Sequence, residues 1–147
     1  MEEVSIREMF PEDVPEALRI ERLSFTTPWS ETSFLSEVYG QRSFTRVAEC
    51  GGALVGYICM RHVADECHLL DLAVDPDYRG HGVAGILLNS GFEAMREEGC
   101  RFLFLEVRES NVPSLRLYEK FGFKVVGTRK AYYLKPTEDA IIMMLEL

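Results

Sequence analysis

The stretch that most constrains this chain runs from His68 to Met95. An apolar run ends at Val74, a loop carries Arg79-Gly80-His81-Gly82-Val83-Ala84-Gly85, and helical spacing then sets in with Ile86, Leu87, Phe92 and Met95. Strand, glycine-rich loop and helix in that order suit folds in which helices cover a sheet. Glycines at 80, 82 and 85 are expected to take positive φ and let the backbone approach a ligand closely. The first amides of a helix lack internal partners, and the helix dipole adds partial positive charge there. Such an end can cradle a phosphate or pyrophosphate without basic side chains, although a turn of this kind can also do no more than solve a packing problem.

Gly80-His81-Gly82-Val83-Ala84-Gly85 satisfies the string G-x-G-x-x-G, but a dinucleotide fold places that string after the first strand of a parallel sheet. Here it follows the fourth strand, after a meander. No Gly-Lys-Ser/Thr is present, so a P-loop is excluded.

Around this segment the periodicity predicts a regular order. Val4 to Glu8 alternates as a short strand, and Pro11 to Phe25 reads as a helix with acids early and Arg19 and Arg22 late. Ser30 caps a second short helix bearing Phe34, Leu35 and Val38. Ser43 to Cys50 and Ala53 to Val63 are strands joined at Gly51-Gly52, and His68 to Val74 is the next. A helix over Gly85 to Glu98, a strand over Arg101 to Val107, a helix from Asn111 to about Phe121, and strands over Phe123 to Leu134 and Ala140 to Leu147 complete the chain. The order β-α-α-β-β-β-α-β-α-β-β implies an α/β protein with a mixed, mostly antiparallel seven-stranded sheet and helices on both faces. Without repeats or linkers, residues 1–147 read as one domain.

Composition narrows the function classes. No apolar run approaches the ~20 residues that cross a bilayer, and the acidic start Met1-Glu2-Glu3-Val4-Ser5 does not resemble a secretory signal. Cys50, Cys59, Cys67 and Cys100 show no C-x-x-C spacing and sit in apolar stretches, as small buried thiols of a reducing compartment do. Neither they nor the scattered His62, His68 and His81 make a metal ligand set. A cytoplasmic monomer or small oligomer is expected. The net charge of −8 argues against nucleic acid as a direct partner. It either keeps the chain soluble or favours a cationic substrate.

Two further residues are candidates for chemistry. Glu106 follows the apolar run Phe102 to Leu105, where a charge is costly unless paired or functional. Partial desolvation raises a carboxyl pKa and suits it to general-base work near neutrality; equally, Glu106 could sit at the sheet rim paired with Arg108 or Arg101. Tyr118 lies in an amphipathic helix, where a tyrosine is either core packing or a placed hydroxyl.

Arg79-Gly80-His81-Gly82-Val83-Ala84 resembles the R/Q-x-x-G-x-G/A acetyl-CoA motif of the GNAT superfamily, with the family's V-x-P-x-x-R spacing from Val74. Asn111 through Phe123 resembles the same family's N-x-x-[AS]-x-x-L-Y-x-x-x-G-F motif. The resemblance implies a GNAT-like fold and acetyl-CoA as co-substrate. It implies that amides of residues 80 to 85 hold the pyrophosphate and that Leu72-Ala73-Val74 pairs with the pantetheine arm. Asn111 would contact that arm, and the Tyr118 hydroxyl would lie near the thioester sulfur. Pro28-Trp29-Ser30, Leu105 to Arg108, Tyr132-Tyr133 and Glu138-Asp139-Ala140-Ile141 are similar to the branch of that family that acetylates the N-terminal alanine of a small-subunit ribosomal protein. Thr27 departs from that branch's phenylalanine-like residue before Pro-Trp, which bears on the acceptor pocket; Trp29 and the tyrosine pair also suit plain packing. On this resemblance Glu106 is the base that deprotonates the amine, the Val74 amide steadies the thioester oxygen, and Tyr118 protonates the leaving thiolate. Acetylation of a small amine, or acyl-CoA binding without catalysis, are the other readings.

Overall fold

The computed structural model describes residues 2–147. In chain order the elements are β1 (Val4–Glu8), α1 (Val14–Ser24), α2 (Glu31–Val38), β2 (Ser43–Cys50), β3 (Ala53–Val63), β4 (Glu66–Val74), α3 (Val83–Glu97), β5 (Phe102–Arg108), α4 (Val112–Lys120), β6 (Lys124–Leu134) and β7 (Thr137–Glu146). The seven strands form one sheet in the order β1-β2-β3-β4-β5-β7-β6. Every neighbouring pair is antiparallel except β4 and β5. The fold is therefore the mixed, mostly antiparallel α/β arrangement expected.

Of the boundaries that differ from those expected, three have a clear physical reason. A 3-10 turn over Pro11–Asp13 precedes α1, because Pro15 is tolerated in a helix's first turn but not in its interior. α3 begins at Val83 because Gly82, at φ 80°, serves as its N-cap, and the Ile86 amide bonds the Gly82 carbonyl at 3.1 Å. β7 starts at Thr137, three residues before its apolar part, because polar Thr137 and Glu138 pair with Leu134 and Tyr133 across the hairpin.

Each face of the sheet buries its own core. On one, Leu87, Leu88, Phe92 and Met95 of α3, with Tyr118 of α4 and Phe123, pack on Ile58, Met60, Leu103 and Leu105. On the other, Ala17 and Ile20 of α1 and Phe34 of α2 pack on Val47, Tyr57 and Ala73. Full burial of such side chains contributes about 1.5–3 kcal/mol each, so both helix pairs are fixed mainly by packing. The four cysteines are buried free thiols.

The sheet contains a break that matters for function. Pairing of β3 with β4 jumps from Cys59–Asp71 to Met60–Leu69, so Leu70 is an extra residue in β4. A bulge of this kind bends its strand and increases local twist. On its other side β4 pairs with β5 only at Glu66–Phe102, Cys67–Leu103 and His68–Phe104. Beyond His68 the two strands separate.

Candidate active site

The separation of β4 and β5 opens a cleft of about 430 Å³. Leu69 to Leu72 of β4 form one wall and Leu105 to Arg108 of β5 the other; Asn111, which caps α4, Ser114 and Tyr118 of α4, the α1–α2 connection, and Tyr133 of β6 close it. The edge of β4 facing β5 has no strand partner past His68, so its backbone groups there are open to a ligand.

Glu106 and Tyr118 both line this cleft. The Glu106 side chain is 13% exposed and its Oε2 is in hydrogen-bond contact with Nε2 of His68. Its partner is thus neither Arg101 nor Arg108. Tyr118 is buried at the end of α4, edge-on to Phe123. Burial first, then the nearby Asp71 and Tyr133, push its hydroxyl well above the usual tyrosine range, so it stays protonated at any working pH.

The loop before α3 is organised as a backbone cradle. Gly80 and Gly82 both sit at φ 80°, and α3 has no side chain capping its first amides. A Cβ built on either glycine would meet nothing within 4 Å, so open space lies beside them. Gly85 does not behave as expected: it lies inside α3 without positive φ, and a Cβ there would come within 2.8 Å of Phe121. Its role is close packing of α3 on Phe121. Val83 is buried in the core and Ala84 packs against it, while His81 is exposed. The Arg79 guanidinium is already engaged, with Nε donating to the Val74 carbonyl at 3.1 Å and a terminal nitrogen to Ser24 Oγ at 3.1 Å. Arg19 of α1 bridges to Asp75 at 2.6 Å, stitching the same loop to the opposite face. Asn111 caps α4 through Oδ1 and the Ser114 amide at 3.2 Å, and its side chain lines the cleft.

Several lining residues carry no sequence signal of their own. Glu21 of α1 is 1% exposed, yet it reaches the cleft. It accepts hydrogen bonds from the Tyr57 hydroxyl and, at 2.9 Å, from the Trp29 amide, anchoring the α1–α2 connection. Beside it, burial and then Glu21 itself push the Asp71 carboxyl well above the usual carboxylate range. Asp71 Oδ2 is buried with no donor near it among the described residues. Burial beside a second carboxylate favours the protonated form of Asp71. Across the cleft, Arg108 donates to the carbonyls of Pro136 and Lys135 and to Glu138 at 3.0–3.2 Å and lies over the Tyr133 ring. This braces the β6–β7 hairpin, where burial, Tyr132 and Glu106 push the Tyr133 hydroxyl up to about 12. Tyr133 is therefore a wall of the cleft, whereas Tyr132 does not line it.

A strand-loop-helix cradle beside a parted pair of parallel strands, with a carboxylate and a phenol lining the cleft between them, suits acyl transfer from a pyrophosphate-bearing thioester. The acetyltransferase (GNAT) family model matches residues 8–123. The chain belongs to the GNAT acetyltransferase family. It is accordingly an acetyltransferase that uses acetyl-CoA as co-substrate. Among curated relatives, the [ribosomal protein bS18]-alanine N-acetyltransferase of Escherichia coli strain K12 is 37% identical over 139 residues, covering 92% of each chain. A candidate ribosomal protein bS18-alanine N-acetyltransferase of Bacillus subtilis strain 168 is 38% identical over 144 residues, 97% of this chain and 95% of the relative. The crystal structure of the Escherichia coli ribosomal-protein-S18-alanine N-acetyltransferase superposes with a TM-score of 0.90 at 35% identity, covering 98% of this chain and 94% of that one. Ard1 from Thermoplasma volcanium gives the same TM-score at 27% identity, covering 98% and 97%.

Proposed function

We propose that this GNAT enzyme acetylates the N-terminal alanine of a small-subunit ribosomal protein in the cytoplasm, bS18 being the acceptor named for its relatives. The observation that carries the mechanism is that Glu106 of β5 and Tyr118 of α4 face one cleft where β4 and β5 part. Amides of residues 80 to 85 hold the CoA pyrophosphate, and the open edge at Leu72, Ala73 and Val74 pairs with the pantetheine arm. Asn111 contacts that arm, and Arg79 fixes Val74 rather than touching phosphate.

The acceptor arrives as an ammonium, with a reference α-amino pKa of about 7.7–8.0. Glu106 takes one proton, directly or through water, and the freed lone pair attacks the thioester carbonyl. The Val74 amide steadies the oxygen as it gains charge. The C–S bond breaks, the thiolate receives a proton from Tyr118, and Tyr118 recovers one from the second N–H of the attacking nitrogen. The raised pKa of Tyr118 keeps this donor loaded at the start of every turnover.

Hexapeptides with acetyl-CoA, read by mass spectrometry, test the acceptor. Alanine-first peptides followed by basic residues are acetylated fastest, and salt reduces part of the advantage because screening acts over about 8 Å near physiological ionic strength. Equal rates for acidic and basic peptides overturn the charge preference, and faster acetylation of spermidine overturns the peptide reading.

A further inference from the structure

Glu106 also borders a second opening. A groove of about 470 Å³ beside the same strands is lined by Arg61, His68, Phe104, Glu106 and Arg129 among others. Glu106 alone among the charged groups of the described residues borders both this groove and the reaction cleft. His68 belongs only to the groove, its side chain is 43% exposed, and its Nε2 contacts Glu106 Oε2. His68 is also the last residue of β4 still paired with β5, so its backbone is held where the strands begin to part.

We propose that His68 is a positioning residue for Glu106 and the route by which its proton leaves the enzyme. This rests on the reading of Glu106 as the base. The overall reaction, R–NH3+ plus acetyl-S-CoA giving R–NH–CO–CH3, HS-CoA and H+, releases one proton per turnover. The nitrogen's second proton ends on sulfur, so the released one is the proton on Glu106. With acetyl-CoA and acceptor seated, the cleft side of Glu106 is covered, and the groove side remains in contact with water. An imidazole exchanges protons with water near neutrality, accepting at one nitrogen and releasing from the other. The charged groups facing His68 are Arg61 from β3, Glu66 from β4, Glu106 from β5 and Arg129 from β6. Arg61 is paired with Glu37, which tempers its repulsion of an imidazolium.

Steady-state rates with an alanine-first peptide in dilute, non-nucleophilic buffer test this. His68→Ala lowers kcat roughly tenfold, leaves the KM for acetyl-CoA unchanged, and regains rate as free imidazole enters the groove. His68→Gln keeps a donor for Glu106 and fills the space, so it shows a similar loss without imidazole rescue. A kcat for His68→Ala equal to that of the unsubstituted enzyme, or a loss that imidazole leaves unmoved, overturns the relay. Full activity in His68→Gln overturns it too, and leaves His68 an orienting hydrogen bond only. Glu106→Gln separates the two ideas. If that variant stays active, the base assignment itself fails; if it is inactive while His68→Ala is fast in dilute buffer, only the relay fails.

Discussion

Where we place CoA the chain offers backbone, and where we place the acceptor it offers side chains held by other side chains. The first region, Val74 to Val83, is continuous in sequence and rests on two glycines at positive φ and an uncapped helix start. The second is assembled from α1, β4, β5 and the β6–β7 hairpin, and depends on a buried carboxyl pair and the Arg108 brace. A backbone site tolerates most side-chain changes and fails when φ is constrained. A side-chain site fails piece by piece.

Glu106→Gln is the hardest test of that division. It should lower kcat/KM by about 10²–10⁴, the usual contribution of general-base catalysis, with the loss shrinking at high pH as more amine is already neutral. Tyr118→Phe keeps the ring packed on Phe123, so the melting temperature should hold while turnover falls, and raising the pH should not restore it. Calorimetry should show both variants still binding acetyl-CoA. Full activity of Glu106→Gln at all pH values, with Tyr118→Phe merely melting lower, would make both residues structural.

Gly82→Val should weaken acetyl-CoA binding by tenfold or more and leave the acceptor KM nearly unchanged. The strain comes from the left-handed φ, on the order of 1–3 kcal/mol, and not from a clash, since nothing lies within 4 Å of the added Cβ. Unaltered CoA affinity in a folded Gly82→Val protein would remove the pyrophosphate from this loop.

The smallest effect should come from Asp71→Asn. Because the folded protein holds the Asp71 proton more tightly than the unfolded chain, stability is fully present below about pH 4 and declines as pH rises through the folded value. The slope from this single group is at most about 1.4 kcal/mol per pH unit. Asparagine has a similar shape and no such proton to lose, so thermal melts should show a flatter profile and higher stability at neutral pH. A variant that is less stable than the parent at pH 7 would mean that Asp71 is charged.

Legibility followed the same division. The glycine-rich loop was readable because strand, glycines and helix are adjacent in sequence, and the two helix caps, Ser30 and Asn111, announce themselves locally. Gly85 was misread because a glycine that admits Phe121 looks the same in sequence as one that admits a ligand. His68, Glu21 and Asp71 gave no signal, since their meaning comes from partners 38, 36 and similarly distant positions away. Nor does anything local show that β7 inserts between β5 and β6, or that Leu70 is the extra residue that parts β4 from β5.

That single surplus residue also divides the molecule mechanically. Four strands lie on one side of the β4–β5 junction and three on the other, and only three residue pairs of backbone ladder join them. The core under α3 and α4 spans this junction, so the two blocks are held together more by grease than by rungs. Amides along the interior of β3, with strands on both sides, therefore sit in a stiffer environment than those beside the seam. A ligand with a strand-like arm in that gap would supply the missing rungs and complete the sheet.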